Sequence, residues 1–514
     1  MRQISRRQFN VASAAAVSVA YGVHRSGSAA AQPGPNEKLG VVVAGLNGRG
    51  QSHVDGFHHD PRCEIRAVVD VDSDVAERAA TSVQRKQGSR PKVYTNVTDA
   101  LGDASLDIVT VATPNHWHAL IGVWAMQAGK DVYVEKPISH NVHEGRALVA
   151  AAKKYGRMFQ TGTQCRSSKG VQQLIEFVHS GGIGEVKLAR GLCYKRRKSI
   201  GALGDYKVPG VVDYDLWSGP AAFTEPKLTR PRFHYDWHWQ RHYGNGDSGN
   251  QGPHQTDVAR WGLGLERHPN SILTYAGRLG YQAERKDPSY VDAGDTANTQ
   301  VSVYDYGDKT IVFETRGLEI NNGADEEIYK LFGSSKGNKI GVVFYGTEGY
   351  AIQGPSYDGG TVFDKKINKI KEFRHSNKTD GVLNHVHMSN LVNAVISRDP
   401  AGLHADATCG HLSASIAHLG NTSYYLGQEN RVAPEQIANA LGEFSSADDD
   451  QATLQRTLQH LRDNGVDPAK DQLSLGPVLK FDPEAERYID NQAANAMLSR
   501  EYRDGYEVPD AKDV

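Results

Sequence analysis

With 514 residues, the chain is long enough for two domains plus additional segments, and at about 150 residues per domain it has room for three. A formal net charge of -2 and an isoelectric point near 6.9 make no field that would gather nucleic acid or anionic lipid, so small-molecule chemistry is the favoured class. Cys63, Cys165, Cys193 and Cys409 are too scattered for a disulfide framework or a Cys-x-x-Cys site; they read as buried thiols, and no metal is expected.

Residues 1–31 read as an address. Ser5-Arg6-Arg7-Gln8-Phe9 precedes an alanine-rich run from Val11 to Val23, and Ala29-Ala30-Ala31 offers a cleavage site before Gln32-Pro33. This order resembles a twin-arginine export signal; the alternative is a disordered arm with two arginines by accident. Twin-arginine export carries folded proteins, usually with a cofactor acquired in the cytoplasm. The resemblance therefore implies a bound cofactor, passage through the Tat translocase and a periplasmic or otherwise exported location. No other stretch reaches the roughly eighteen apolar residues needed to span a bilayer, so no membrane span is expected after processing.

Beyond Pro33-Gly34-Pro35, strand and helix patterns alternate. Strands are predicted over Leu39–Ala44, Glu64–Val69, Ile108–Ala112, Val132–Val134 and Met158–Thr161, with helices from Gly50 to His58, His116 to Ala128 and His143 to Tyr155. This alternation predicts an α/β fold, a Rossmann-type doubly wound parallel sheet over 37–160. The turn Gly45-Leu46-Asn47-Gly48-Arg49-Gly50 joins the first strand to its helix. Gly45 permits the tight turn, Gly50 lets helix and strand approach, and the N–H groups at the helix start suit a pyrophosphate. Asn47 stands where the middle glycine of G-x-G-x-x-G is usual, and asparagine tolerates left-handed angles. Asp70, ending the second strand, is placed to accept from ribose hydroxyls, which favours NAD; Arg49 keeps NADP open. Glu135-Lys136-Pro137 follows the strand Val132–Val134, so Lys136 stands at the carboxyl edge of the sheet, where an ammonium can do acid-base work.

Later segments add a pattern. Val111-Ala112-Thr113-Pro114-Asn115-His116-Trp117-His118, Glu135-Lys136-Pro137, Asp215-Leu216-Trp217-Ser218-Gly219-Pro220, the aromatic stretch Phe233 to Tyr243, and Gly249-Asn250-Gln251-Gly252-Pro253-His254-Gln255-Thr256-Asp257 succeed one another. Together they resemble an exported, sugar-associated branch of the Gfo/Idh/MocA oxidoreductase family, over roughly residues 37 to 425. The resemblance implies that Lys136 contacts the substrate hydroxyl and the nicotinamide. It puts Asn250 and His254 at the family's Asp-x-x-x-His pair, and Thr113, Pro114, Asn115, His118 and Glu135 at the cofactor. Gln164 and Arg166 become pocket residues. If the segment is helical, residues 250 and 254 share a face. An amide at 250 can orient an imidazole or bind a hydroxyl but cannot stabilise imidazolium as a carboxylate would. His254 is suited to take a proton near neutral pH, with Lys136 sharing that role or stabilising charge on oxygen. His254 could instead be a core histidine, and Asp257 could orient a ring or serve the helix that continues through Trp261.

On the substrate side, Lys195-Arg196-Arg197-Lys198 could bind an anionic group, with Arg196 and Arg197 as candidates, or form a solvated turn. Phe233 to Tyr243 mixes aromatics and polar groups in a composition that suits sugar rings, with Trp237 and Tyr243 as candidates. His234, His238 and His242 have helical spacing, but the aromatics favour an irregular segment. Strands over Asn298–Tyr304, Thr310–Glu314 and Gly341–Tyr345, a turn at Gly346–Gly349 and helices near Leu383–Ile396 and His411–Leu426 predict an α+β domain over 161–427 with a mostly antiparallel sheet. The resemblance implies that this sheet covers the nicotinamide and mediates homo-oligomers. Residues 428–514 read as a tail that wraps the body.

The expected function is an NAD(P)-dependent oxidoreductase acting on a hydroxyl of a sugar, polyol or glycoside. Because free NAD is scarce outside the cytoplasm, the cofactor would stay bound and be recycled within turnover. The alternatives are a lyase, glycosidase or epimerase working through a transient keto-sugar, and a non-catalytic sugar-binding protein.

Overall fold

The valine-rich run Leu39–Ala44 forms β1 with all six residues buried, the pattern of a strand covered on both faces. The computed structural model describes residues 38–222, 227–320, 325–334, 337–354, 356–374 and 380–514; the export-signal reading over 1–31 lies outside them. The other strands of the first sheet are β2 (Cys63–Val69), β3 (Lys92–Tyr94), β4 (Ile108–Val111), β5 (Asp131–Val134) and β6 (Phe159–Thr161). They pair in parallel in the order β3-β2-β1-β4-β5-β6, the doubly wound arrangement expected from the alternation. The order reverses between β1 and β4, so the loops that leave these strands open a crevice at the carboxyl edge.

Helices Arg49–His59, Asn115–Gln127 and Val142–Tyr155 lie within a residue or two of the predicted ones. Helix Ser73–Gln87 was not among the predicted elements, although its ends carry ordinary signals. The Asp72 carboxylate accepts from Val75 N at the start, and Gly88 takes left-handed angles at the end.

The second sheet has eleven strands: β7 (Val186–Tyr194), β8 (Ser271–Gly277), β9 (Thr299–Asp305), β10 (Thr310–Arg316), β11 (Lys339–Gly346), β12 (Gly349–Gln353), β13 (Gly359–Asp364), β14 (Lys369–Arg374), β15 (Ser474–Leu475), β16 (Leu479–Asp482) and β17 (Arg487–Tyr488). Only the β7–β10 pairing is parallel, so the sheet is mostly antiparallel, as predicted. Strands β15 and β16 come from the segment read as a tail, and both pair with β8. An uncovered β8 edge would leave a row of backbone N–H and C=O groups unpaired, so this segment completes the sheet. The carboxyl end then returns to the first domain, where the Tyr506 ring meets Trp117 edge-on at 5.5 Å and the Tyr502 hydroxyl donates to Glu144 at 3.1 Å.

Helix Ala407–Leu426 is buried along most of its length. It packs against helix Val142–Tyr155 on one side and against β8 and helix Gly252–Gly262 on others. That last helix carries His254, so its position over the Rossmann crevice is set by apolar packing of Val258 and Ala259, both fully buried. Among the described residues no helix is long and apolar enough to cross a membrane.

Candidate active site

A cavity of about 480 Å³ follows the carboxyl edge of the first sheet and runs under the aromatic segment. Its floor at one end is the glycine turn. Gly45 has φ +84°, and a Cβ there would stand 2.6 Å from the Ala112 backbone; a Cβ on Gly50 would stand 1.8 Å from the Gly45 carbonyl oxygen. Both positions need glycine because β1, β4 and the helix meet there without room for a side chain. Asn47 and Gly48 line the cavity and are exposed, so their backbone is open to a ligand.

Asp70, at the end of β2, also lines the cavity. Its carboxylate accepts from Leu46 N at 2.8 Å and from Asp72 N at 3.0 Å, one bond on each oxygen. Lone pairs remain for two hydroxyl donors, because a carboxylate offers about four acceptor sites. Burial raises its pKa, partly offset by these two backbone bonds. Arg49 does not reach toward Asp70. Its guanidinium turns inward, donating to Glu135 Oε1 at 2.7 Å and to Asn384 Oδ1 at 2.8 Å. The phosphate partner that would have suited NADP is thereby occupied.

Thr113, Pro114 and Asn115 line the middle of the cavity, and Thr113 Oγ1 and Asn115 Oδ1 are buried without hydrogen-bond partners among the described residues. Orphaned polar atoms lining a crevice, with a turn that admits no Cβ, fit a dinucleotide. His118 lines the cavity as well, with its ring nitrogens engaged elsewhere. Its two ring nitrogens lie 2.7 Å from the Pro137 carbonyl and 2.8 Å from the Thr113 carbonyl, so it ties the β4 and β5 loops together and has no polar atom left for a nicotinamide.

Lys136 closes the far end. Its Nζ donates to the Asn250 carbonyl at 2.6 Å, with the Asn250 side-chain oxygen at 3.4 Å. Burial lowers its pKa to about 8, against the pull of the Glu135 charge. Beneath it, burial works against the Glu135 charge, yet Arg49 and His53 outweigh burial and hold the carboxyl well below the usual range. Gln164 donates to Tyr133 Oη at 2.9 Å and to Glu135 at 3.3 Å, so its amide serves this buried network while its side chain lines the cavity.

Asn250 ends the short helix Gly246–Asn250, and His254 lies in the first turn of the next helix; a single residue, Gln251, separates the two helices. Both side chains face the same cavity as Lys136. His254 Nδ1 has no partner among the described residues, and burial, reinforced by the Lys136 charge, lowers the imidazole pKa to about 3. Near neutrality the imidazole is therefore unprotonated but weakly basic, and the amine, with its pKa lowered to about 8, is the stronger proton acceptor of the two.

Several predicted substrate residues are elsewhere. Arg166 forms a two-pronged ion pair, both bonds 2.9 Å, with Asp257, which lies on the His254 helix. Arg197 is held by Asp247 at 2.7 to 3.0 Å, and Arg196 pairs with Glu284 and Glu319. Tyr243 meets the Tyr214 hydroxyl at 3.0 Å in a buried aromatic cluster. None of these five lines the cavity; each of the three arginines is held by a carboxylate distant in sequence. Trp237 does line it, with Phe233, His234, Tyr235 and His238. The helical spacing of His234, His238 and His242 is not realised as one face: only Asp236–Trp239 is helical, as one 3₁₀ turn, and His234 turns to Asp72 at 3.0 Å. Tyr357, Leu383 and Asn384 complete the wall from the carboxyl half, where no local motif marks them.

Residues 39–163 match the family model GFO_IDH_MocA, described as an oxidoreductase family with an NAD-binding Rossmann fold. A glycosyl hydrolase family 109 protein of Shewanella sp. (strain W3-18-1) is 34% identical over 124 residues, 23% of this chain and 27% of that protein. The match thus spans about a quarter of the curated relative. Among solved structures, GenD2 from gentamicin A biosynthesis, in complex with NAD, is 21% identical with a TM-score of 0.53, covering 79% of this chain and 97% of the other. Levoglucosan dehydrogenase, in complex with NADH and levoglucosan, is 16% identical with a TM-score of 0.54, covering 76% and 97%. These two likenesses show a shared fold.

Proposed function

We propose, from a chain whose Rossmann domain belongs to the Gfo/Idh/MocA oxidoreductase family, that this protein is an NAD-dependent oxidoreductase acting on a ring hydroxyl of a sugar, polyol or glycoside. The observation that carries the reading is one continuous cavity shared by the glycine turn, Asp70, Lys136, His254 and the aromatic segment. Asp70 would hold the adenosine ribose, the Gly45–Gly50 turn the pyrophosphate, and Thr113 and Asn115 the region next to it. NAD, when bound, supplies a hydride acceptor.

The chain's own residues supply the proton chemistry. His254, neutral at working pH, or Lys136, near half-protonated at about pH 8, takes the hydroxyl proton as the carbinol C–H bond breaks. Asn250 fixes the amine through its carbonyl. The aromatic segment stacks on the sugar and excludes water, as aromatic walls do around sugar rings. The likeness to a levoglucosan dehydrogenase supports a sugar substrate.

The export-like segment at residues 1–31 supports retention of the nucleotide through turnover in a periplasmic setting. A second reading, glycoside cleavage or epimerisation through a transient keto-sugar, is favoured by the amide at position 250 and by the likeness to a glycosyl hydrolase family 109 protein.

Purified protein should keep nucleotide absorbance after desalting, and a screen of sugars and polyols should give a single-turnover rise in nicotinamide fluorescence. Protein that elutes empty and turns over only with added cofactor would overturn the retention; protein that responds to no sugar would overturn the substrate class.

A further inference from the structure

We infer that His238 is a second proton-transfer residue of this site, its Nε2 taking a proton from the carbon next to a sugar ketone. The inference rests on the keto-sugar reading given above and assigns to it a residue outside the Lys136–His254 pair.

The imidazole is held by a strained and well-anchored segment. Tyr235, just before it, has φ 68° and ψ -46°, and Asp236 N donates to the His234 carbonyl at 2.9 Å across it. That geometry is a γ-turn of the rare form, which costs energy and persists only where surroundings enforce it. The enforcement is visible: the buried Asp236 carboxylate accepts from Arg232 at 2.7 and 2.9 Å, and a Cβ on Gly244 would stand 2.7 Å from the His238 backbone.

The turn presents the Tyr235 carbonyl to His238 Nδ1. A carbonyl only accepts, so Nδ1 carries the hydrogen and Nε2 keeps its lone pair. The Trp237 ring, stacked on the imidazole at 3.6 Å between centroids and 19° between planes, fixes its tilt. Nε2 has no hydrogen-bond partner among the described residues, and His238 lines the same cavity as Lys136 and His254. Burial, with the Lys136 charge and against the bond to the Tyr235 carbonyl, lowers the ring pKa, so Nε2 is bare at neutral pH.

Oxidation of one hydroxyl needs one proton acceptor, and Lys136 with His254 already meets that need. A second bare imidazole, on the aromatic segment, has work to do once a ketone exists, because the carbonyl acidifies the C–H bonds beside it. Nε2 takes that proton, the C–H electron pair becomes the new carbon–carbon double bond, and the carbonyl pair moves onto oxygen, where the Lys136 ammonium offsets the charge. The enolate then either takes a proton from water on its other face, giving the epimer while the imidazolium releases its proton to solvent, or expels the substituent on the next carbon. In the second case the C–O bond breaks, its electron pair leaves with the oxygen, and the imidazolium returns the proton to that oxygen.

The test supplies the ketone directly. The protein as purified, with its nucleotide, is incubated in D2O with methyl glucopyranosides oxidised to the ketone at C2, C3 or C4, and deuterium incorporation beside the carbonyl is followed by NMR against a protein-free control. His238→Asn keeps a donor for the Tyr235 carbonyl but offers no base, and His238→Gln serves as a second variant. The inference expects exchange in the natural protein and a loss of about 100-fold or more in both variants. Tryptophan fluorescence should show keto-glycoside binding held within about threefold, and single-turnover nicotinamide reduction by the parent sugar should persist. Exchange unchanged in variants that still bind, or no exchange in a natural protein that does reduce its nicotinamide, overturns the role of His238 alone. Absence of both exchange and nicotinamide reduction in the natural protein overturns the proposed function with it.

Discussion

Lys136 Nζ lies 2.6 Å from the carbonyl oxygen of Asn250, so an amine at the edge of the first sheet is docked on the helix end that precedes His254. The contact joins two segments 114 residues apart and places both proton-handling groups on one cavity.

Its first consequence is a pH profile without the usual histidine break. His254 is neutral down to about pH 3, well below the ordinary imidazole value of 6.5, so it contributes no inflection near neutrality. Lys136 must lose its proton to act as a base, which happens through about pH 8. Oxidation measured as kcat/KM should therefore climb with pH and level off above that value, and Lys136→Met should flatten the profile while lowering it by roughly 1,000-fold. An inflection near 6.5 in the natural protein would assign the base to a histidine of ordinary pKa.

A carboxylate at the end of β2 should set the cofactor. Asp70 would meet a ribose phosphate with like charge, and the guanidinium of Arg49 in the glycine turn is already bound to Glu135. Asp70→Ser is expected to weaken NAD binding by about tenfold and to narrow or reverse the preference over NADP, read from nicotinamide fluorescence titrations. Equal NAD and NADP affinities in the natural protein would show that this carboxylate does not discriminate.

Much of this arrangement was legible because its signals are local. The buried valine run of β1, the glycines that β1 and β4 leave no room to replace, and Lys136 after a short apolar strand each depend on neighbours a few residues away. Strand β3 was not legible: its three residues are exposed or half-buried, and no apolar run marks it. The arginines failed for a different reason. A guanidinium in the sequence looks the same whether it waits for a ligand or is neutralised by a carboxylate, and Asp257 lies 91 residues from Arg166 and Asp247 50 from Arg197. Only the folded chain shows that these charges are already paired.

That distinction can be measured at Asp257. The carboxylate is fully buried and accepts from Arg166 and from Ser413, so Asp257→Asn would leave a buried guanidinium poorly compensated. The expected result is a loss of about 3 kcal/mol in stability by denaturant unfolding, with nucleotide content of the surviving folded protein unchanged. A stable variant with a raised KM for sugar would return Asp257 to the substrate site.

Glu135 gives a stability effect with a defined sign in pH. Arg49 and His53 overcome burial and hold its carboxyl below the ordinary value of 4.5, so the folded state binds its proton less readily than the unfolded chain. The stabilisation is fully present above about pH 4.5, where the unfolded carboxyl is also ionised, and is lost as pH falls toward the folded-state value. Glu135→Gln removes the anion at every pH. Its loss should cost about 2 to 3 kcal/mol, less than the usual figure for a broken buried pair because the Arg49 side chain is 35% exposed and water compensates part of its charge. Plotting the stability difference between natural and variant proteins against pH should give a plateau near neutrality that shrinks below pH 4.5. A difference that stays constant into strong acid would mean that Glu135 acts through packing and hydrogen bonding rather than through its charge.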